Sequence, residues 1–145
     1  MSPLIGLVLS VLFGVIPMVI YAAALTLFDP YEKEPPLLMV GVFLWGLIVA
    51  AGSALLINTA FGIGFVFLTG SEALAMGGTA VVVAPLVEET VKGLAVLGVF
   101  LYFRHEFDSV VDGVIYGSLV GFGFAAAENV NYIATSFVQS GMEGL

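Results

Sequence analysis

The stretch that decides the fold is residues 79–133, which read TAVVVAPLVEETVKGLAVLGVFLYFRHEFDSVVDGVIYGSLVGFGFAAAENVNYI. Two long apolar segments flank a short charged turn, Phe103–Asp108. A transmembrane helix needs about 20 consecutive, mostly apolar residues. The pattern therefore predicts two membrane-spanning helices, over about 79–102 and 110–133, that form an antiparallel hairpin.

Two further apolar segments precede this hairpin. The first, 4–28, contains Pro17 and is expected to stay as an uncleaved, kinked span, because no positively charged region precedes it. The second, 37–68, is too long for one span, so we expect a span over about 37–57 that ends near Asn58. The GIGF stretch from Gly62 would then be interfacial or re-entrant. The sequence predicts an all-α, polytopic membrane helical bundle of about four spans, as one integral-membrane domain over residues 1–145.

The composition agrees with this class. Of 145 residues, 61% are hydrophobic and 10% charged, and the mean hydropathy is +1.17, whereas soluble domains carry about 25% charged residues. This excludes a soluble or disordered chain, and three Lys and Arg residues are too few for a nucleic-acid-binding patch. Without cysteine there is no disulfide, thiolate metal site or cysteine nucleophile.

Loop charges predict the orientation. Lys33 and Arg104 lie in the first and third loops, which fall on the same side of a four-span chain. Because cytoplasmic loops are enriched in Lys and Arg, we expect both loops in the cytoplasm. The prediction is a multi-pass cell-membrane protein with both termini extracytoplasmic.

Five ionisable side chains fall inside the last two predicted spans: Glu88, Glu89, Lys92, Asp112 and Glu128. Each would cost about 2.5–3.5 kcal/mol at mid-helix if it faced lipid. They are therefore expected to face one another or a wet cavity, and to be functional candidates. Asn129 follows Glu128 directly.

Helical spacing indicates which of these groups can meet. Lys92 can pair with Glu88 or Glu89, but cannot fully neutralise both. A desolvated carboxylate beside a like charge holds its proton more tightly, as a general acid or base requires. Folding the hairpin about residue 107 or 108 puts Glu128 level with the two glutamates. Asp112, near the turn, has the alternative role of a helix N-terminal acid or a partner of Arg104.

Small residues at every fourth position of the last span, Gly113, Gly117, Gly121 and Ala125, predict a surface that packs closely on a neighbouring helix. Glu128 lies on nearly the same face. His105, the only histidine, lies in the polar turn and is interpreted as a surface residue.

Four motifs in order resemble those of the PrsW family of intramembrane proteases: DPYEKEP (Asp29–Pro35), EETVK (Glu88–Lys92), FDSVVDGVIYG (Phe107–Gly117) and GFGFAAAEN (Gly121–Asn129). These proteases are of the kind that cut a membrane-bound anti-sigma factor. They are distantly similar to the CAAX-processing and bacteriocin-immunity membrane proteases. The resemblance implies that Glu88 and Glu89 are catalytic, with Glu128 and Asn129 as co-site residues. By the same resemblance, Asp112 would support the site and Lys92 would position or neutralise the acids.

Chains of this family usually continue through further spans that carry a later histidine, whereas this sequence has none after His105. We therefore expect either a truncated chain or short homologue, or a site that lacks the histidine. The resemblance implies a possible divalent metal, but carboxylates alone are a poor match to catalytic zinc sites. The cofactor stays unassigned.

The leading hypothesis is an intramembrane protease that cleaves a single-span, membrane-anchored protein such as an anti-sigma factor, with Glu88 or Glu89 activating water. One alternative is a catalytically inactive or truncated relative that binds a partner along the glycine surface. Another is a small proton- or cation-coupled carrier, because buried carboxylates also build relays.

Overall fold

A computed structural model describes residues 3–27 and 33–140, and all regular secondary structure within them is helical. This confirms the predicted all-α membrane bundle. The α-helices, in chain order, are α1 (Pro3–Leu25), α2 (Pro36–Leu44), α3 (Ala51–Thr69), α4 (Glu72–Gly78), α5 (Ala84–Tyr102) and α6 (Val110–Ser140).

Two π-helical turns join these helices into longer ones. The first π-turn, Trp45–Ala50, links α2 to α3, and the second π-turn, Thr79–Val83, links α4 to α5. The resulting helices cover residues 36–69 and 72–102. The first begins with proline at its first turn, where a missing N–H does no harm. It ends at Gly70, whose φ of 65° is the left-handed conformation that glycine adopts readily.

The helix over 36–69 differs from the sequence prediction, because it continues through Asn58 and Gly62 without a break. Its 34 residues measure roughly 51 Å, more than the ~30 Å hydrocarbon core. Part of it therefore extends beyond that core. The next helix begins at Glu72 rather than near Thr79, since Ser71 accepts a hydrogen bond from the Leu74 N–H and caps it there.

In the described part of the chain, three helices are long and apolar enough to cross a membrane: Leu4–Leu25, Pro36–Thr69 and Val110–Gln139. The helix over 72–102 is also long, but carries Glu88, Glu89 and Lys92 near its middle. Large apolar side chains such as Phe13 and Leu56 are exposed along the outer faces. A membrane protein with several spans presents such surfaces to lipid.

Helix α6 is the centre of the bundle. Helix α1 runs antiparallel to it, because Gly6 lies against Phe137, Gly14 against Val130, and Tyr21 near Phe122. One core cluster joins α2, α5 and α6: Val42, Ala95, Val99, Ile115, Tyr116, Leu119 and Val120. A second cluster joins the first π-turn and α3 to α6: Ala50, Ala54 and Phe124.

The turn between α5 and α6 is closed by a capping box. The Ser109 Oγ accepts hydrogen bonds from the N–H groups of Val111 and Asp112. In return, the Asp112 carboxylate accepts bonds from the N–H groups of Asp108 and Ser109 at 2.9 and 2.7 Å. This reciprocal pairing fixes the start of α6 and holds the predicted hairpin.

The predicted glycine surface does not make the closest helix contact. A Cβ added at Gly117 or Gly121 would meet no atom of another described segment within 4 Å. A Cβ at Gly123 would instead collide with the Phe43 carbonyl oxygen. Because Gly123 lies about 200° around the helix from Gly121, the tight contact is on the other side of α6.

Candidate functional site

A cavity of about 870 Å³ lies between α3, the helix over 72–102 and α6. Most of its lining residues are apolar, and eight of them are alanine or glycine. The polar residues on the wall are Asn58, Thr59, Glu72, Thr79, Glu88, Glu128 and Asn131. Leu55 and Met76 also line it and are 68% and 74% exposed, so the cavity reaches the outer surface of the bundle.

Two carboxylates from different helices meet at this cavity. Glu88 on α5 and Glu128 on α6 both line it, although they are far apart in sequence. The charges of Glu88 and Lys92 both act on the Glu128 carboxyl, which is half-buried. The hairpin of α5 and α6 brings both side chains to the wall of this one cavity.

Lys92 is positioned by two contacts. Its ammonium is 2.5 Å from Glu89 Oε1 and 4.4 Å from the centroid of the Phe124 ring. The Lys92 side chain is 17% exposed, whereas that of Glu89 is 74% exposed. The lysine therefore pairs with Glu89 rather than with Glu88, and Glu89 points away from the cavity wall.

The structure does not bring every predicted site residue to this cavity. Asn129 is half-buried on α6 but is not on the cavity wall, where Asn131 lies instead. Asp112 is buried in the capping box, roughly 24 Å along α6 from Glu128. The helix N-terminal role that the sequence left open for Asp112 is the one that the structure shows.

Sequence reasoning did not identify two polar residues on the cavity wall, Asn58 and Thr79. Asn58 Oδ1 and Thr79 Oγ1 are buried, and neither has a hydrogen-bond partner among the described residues. Their sequence signal is weak: each is a small polar residue at the edge of an apolar run, which also suits the end of a helix.

A second polar cluster lies at the hairpin end of α6. The buried Tyr116 hydroxyl donates a hydrogen bond to the Glu34 carboxylate. Burial raises the pKa of Glu34, and the nearby charges of Asp112 and Glu106 act in the same direction, while the bond from Tyr116 opposes them. His105 lines a small cavity here with Glu34 and Asp112. Of the first family-like motif, Asp29, Pro30, Tyr31 and Glu32 lie outside the described residues.

The acidic side chains and the histidine can be compared with the ligands that a catalytic metal ion requires. Within residues 3–27 and 33–140, no three His, Cys, Asp or Glu side chains are grouped so that they could hold a metal ion. Glu72, Glu88 and Glu128 all line the cavity, but they are not grouped around one point, whereas catalytic zinc sites use three protein ligands. These residues alone therefore do not fit a catalytic zinc ion.

The chain was compared with known proteins. Residues 34–145 match the family described as "PrsW family intramembrane metalloprotease". The chain is 32% identical over 127 residues to "Protease PrsW" of Geobacillus kaustophilus (strain HTA426), covering 88% of this chain and 53% of that protein. It is 34% identical over 122 residues to "Protease PrsW" of Clostridioides difficile (strain 630), covering 84% and 49%.

The chain thus spans about half the length of the curated relatives that it matches. No solved structure matches it. The family match covers most of the sequence and includes both glutamates on the cavity wall and the whole of the α5–α6 hairpin. On this evidence the chain belongs to the PrsW family.

Proposed function

We propose that this protein is a membrane-embedded peptidase that cleaves a membrane-anchored protein. The observation that carries the proposal is the meeting of Glu88 and Glu128 on the wall of one cavity between apolar helices. Membership of the PrsW family and the names of the two curated relatives support it.

The two carboxylates suit hydrolysis of a peptide bond by general acid–base chemistry, with one ionised and the other protonated. Ionised Glu88 takes a proton from water as the water oxygen attacks the peptide carbonyl carbon. Protonated Glu128 donates a hydrogen bond to the oxyanion that forms. The C–N bond then breaks, and the leaving amine takes the proton held by Glu88. Such proton transfer contributes about 10²–10⁴-fold to rates.

Glu89 and Lys92 form an ion pair beside this site and take no direct part in the proposed steps. Glu89 holds the ammonium of Lys92 at 2.5 Å, and the Phe124 ring lies beneath that ammonium. Lys92 is thereby held against Phe124 on α6, the helix that also carries Glu128. The family description names a metal, but the described residues do not provide its ligands. The proposed steps therefore use only this chain's own side chains.

By resemblance, the substrate is a single-span membrane protein such as an anti-sigma factor. The proposed orientation, with both loops in the cytoplasm and both termini outside, is supported by the positions of Lys33 and Arg104 in those loops. The chain has no cysteine, so His105→Cys introduces a unique label site. Membrane-impermeant maleimide should label it in inverted vesicles but not in intact cells. The opposite pattern would refute this orientation.

Cleavage of a co-expressed single-span substrate tests the peptidase function. Glu88→Gln and Glu128→Gln should each lower cleavage by about 10²-fold or more, because each removes one acid–base group. Glu106→Gln, at the surface of the hairpin turn, is the matched control and should cleave normally. Undiminished cleavage by both cavity variants, with normal insertion, would refute the proposal and favour a binding or carrier role.

A further inference from the structure

We propose that Asn58 and Thr79 bind the substrate backbone, by pairing with peptide groups of a segment that has unwound from its transmembrane helix. This inference rests on the proposed function, because it assigns a substrate-binding role within the same cavity. Asn58 lies on α3, and Thr79 lies in the second π-turn, nine residues before Glu88 on the same helix over 72–102. They therefore add polar groups from α3 and from the α4 end of that helix to the two glutamates on the cavity wall.

Thr79 lacks the hydrogen bond that several other helical hydroxyls in this protein make. Ser10 donates to Gly6 O at 2.8 Å, Thr59 to Leu55 O at 2.7 Å, and Thr90 to Leu86 O at 2.6 Å. A bond to the carbonyl one turn earlier is the usual solution for Ser and Thr in helices. Thr79 is only 9% exposed, and its Oγ1 has no such partner among the described residues.

Asn58 shows the same feature on the facing helix. Its Oδ1 is buried without a hydrogen-bond partner in the described part of the chain. Gly62 lies one turn further along α3, and a Cβ built there would be 3.8 Å from Thr79 Oγ1. Asn58 and Thr79 are therefore neighbours across the contact between α3 and the second π-turn. Short π-helical segments occur frequently at functional sites.

The backbone of a peptide substrate can supply the hydrogen-bond partners that these two side-chain atoms lack. A buried polar atom without a partner carries a free-energy penalty, so two of them on one cavity wall call for a ligand. Hydrolysis requires the scissile bond to leave its helix, and the freed N–H and C=O groups then need partners in a medium without water. The Asn58 carbonyl oxygen can accept from an N–H, and the Thr79 hydroxyl can donate to a C=O.

The cavity is suited to an extended segment of this kind. Its wall between these two residues and the glutamates is formed largely by small side chains such as Gly52, Ala80 and Ala127. Its volume of about 870 Å³ is in the range of peptide- and ligand-sized sites. The segment would be held by its backbone at Asn58 and Thr79 while the carboxylates of Glu88 and Glu128 act on the scissile bond.

Kinetics with the protein in liposomes and a fluorogenic single-span peptide test the assignment. Thr79→Val and Asn58→Leu should each raise KM about tenfold, or 1.4 kcal/mol, whereas Thr79→Ser should stay near the parent value. Ser53→Ala, on α3 but off the cavity wall, is the matched control and should leave KM unchanged. Thermal stability of both apolar variants should be equal to or above that of the parent, because no protein–protein hydrogen bond is lost.

Other outcomes separate this inference from the proposed function. Unchanged KM in both apolar variants would overturn the inference, as would a lower melting temperature with unchanged KM, which would indicate a structural link between the helices. If the parent protein does not cleave, binding of the same peptide is measured by fluorescence transfer. Weaker binding by Thr79→Val and Asn58→Leu, restored in Thr79→Ser, would still support the assignment. Equal binding by all variants would overturn it.

Discussion

Gly46 and Gly123 each lie against the helical turn that contains the other. A Cβ at Gly46 would collide with the carbonyl oxygen of Val120, and one at Gly123 with that of Phe43. Both contacts are with backbone atoms, which cannot move aside as a flexible side chain could. The crossing of the first π-turn with α6 therefore depends on both residues being glycine, and it holds α6 at the depth where Glu128 meets the cavity.

Replacing either glycine by alanine should destabilise the protein. Alanine favours a helix over glycine by about 1 kcal/mol, but overpacking a close contact costs typically 1–3 kcal/mol or more. Because the added methyl group would collide with a backbone carbonyl, the cost of overpacking should exceed the gain in helix propensity. Gly46→Ala and Gly123→Ala should therefore lower the melting temperature in detergent, followed by the fluorescence of Trp45, the only tryptophan.

Two matched controls accompany these variants. A Cβ at Gly41 or at Gly117 would meet no atom within 4 Å outside its own helix in the described structure. Gly41→Ala and Gly117→Ala should therefore be neutral or slightly stabilising. A loss of stability in Gly117→Ala that equals the loss in Gly123→Ala would contradict this account of the crossing.

Asp112 should contribute to stability rather than to chemistry. Its carboxylate accepts hydrogen bonds from Ser109 and from the Asp108 N–H, and loss of a helix cap costs about 0.5–2 kcal/mol. Asp112→Ala should lower the melting temperature while cleavage per folded molecule stays within about twofold of the parent value. Lost cleavage in Asp112→Ala at an unchanged melting temperature would instead support the supporting site role that the family resemblance implies.

Glu34 should make stability depend on pH. Burial raises its pKa in the folded protein, so the folded state binds this proton more tightly than the unfolded state does. Stability from this group is therefore present below the unfolded pKa of about 4.3 and is lost as pH rises through the higher, folded pKa. Because other carboxylates also titrate, the measured quantity is the difference between the parent protein and Glu34→Gln.

In that comparison, the parent protein should lose stability relative to Glu34→Gln as the pH rises above about 4.3. Tyr116→Phe removes the hydroxyl that bonds to the Glu34 carboxylate and should enlarge the loss, because that bond stabilises the charged form. A difference between parent and Glu34→Gln that does not change with pH would contradict the assignment.

The sequence predicts the hairpin of α5 and α6, because two apolar runs flank one short charged turn. It does not predict which face of each helix turns inward. Gly121 and Gly123 are equally small, and only the position of Phe43 and Leu47 decides which one is in contact. Similarly, Glu88 and Glu89 are equivalent in sequence, and the cavity lies on the side of Glu88. For Asn58 the sequence predicts a helix end, because a polar residue suits both a terminus and a cavity wall.

Glu88 and Glu89 should differ in their effect on cleavage. Glu88 lines the cavity, whereas Glu89 is exposed and contacts Lys92. Glu88→Gln should remove an acid–base group and lower kcat by about 10²-fold or more. Glu89→Gln leaves an amide that can still accept a hydrogen bond from Lys92, so its kcat should fall less than tenfold. Because Lys92 keeps this hydrogen-bond acceptor, the melting temperature of Glu89→Gln should change little.

Variants of Lys92 test whether Glu89 acts in cleavage only through the lysine. Lys92→Met keeps the length of the side chain and its packing on Phe124, but removes the charge that acts on Glu128. If Glu89 acts only by holding Lys92, the double variant Glu89→Gln with Lys92→Met should be no less active than Lys92→Met alone. Additive losses of kcat in the double variant would show that Glu89 acts independently of the lysine. A loss in Glu89→Gln as large as that in Glu88→Gln would contradict the assignment of Glu88 alone and would show that both glutamates are needed for the chemistry.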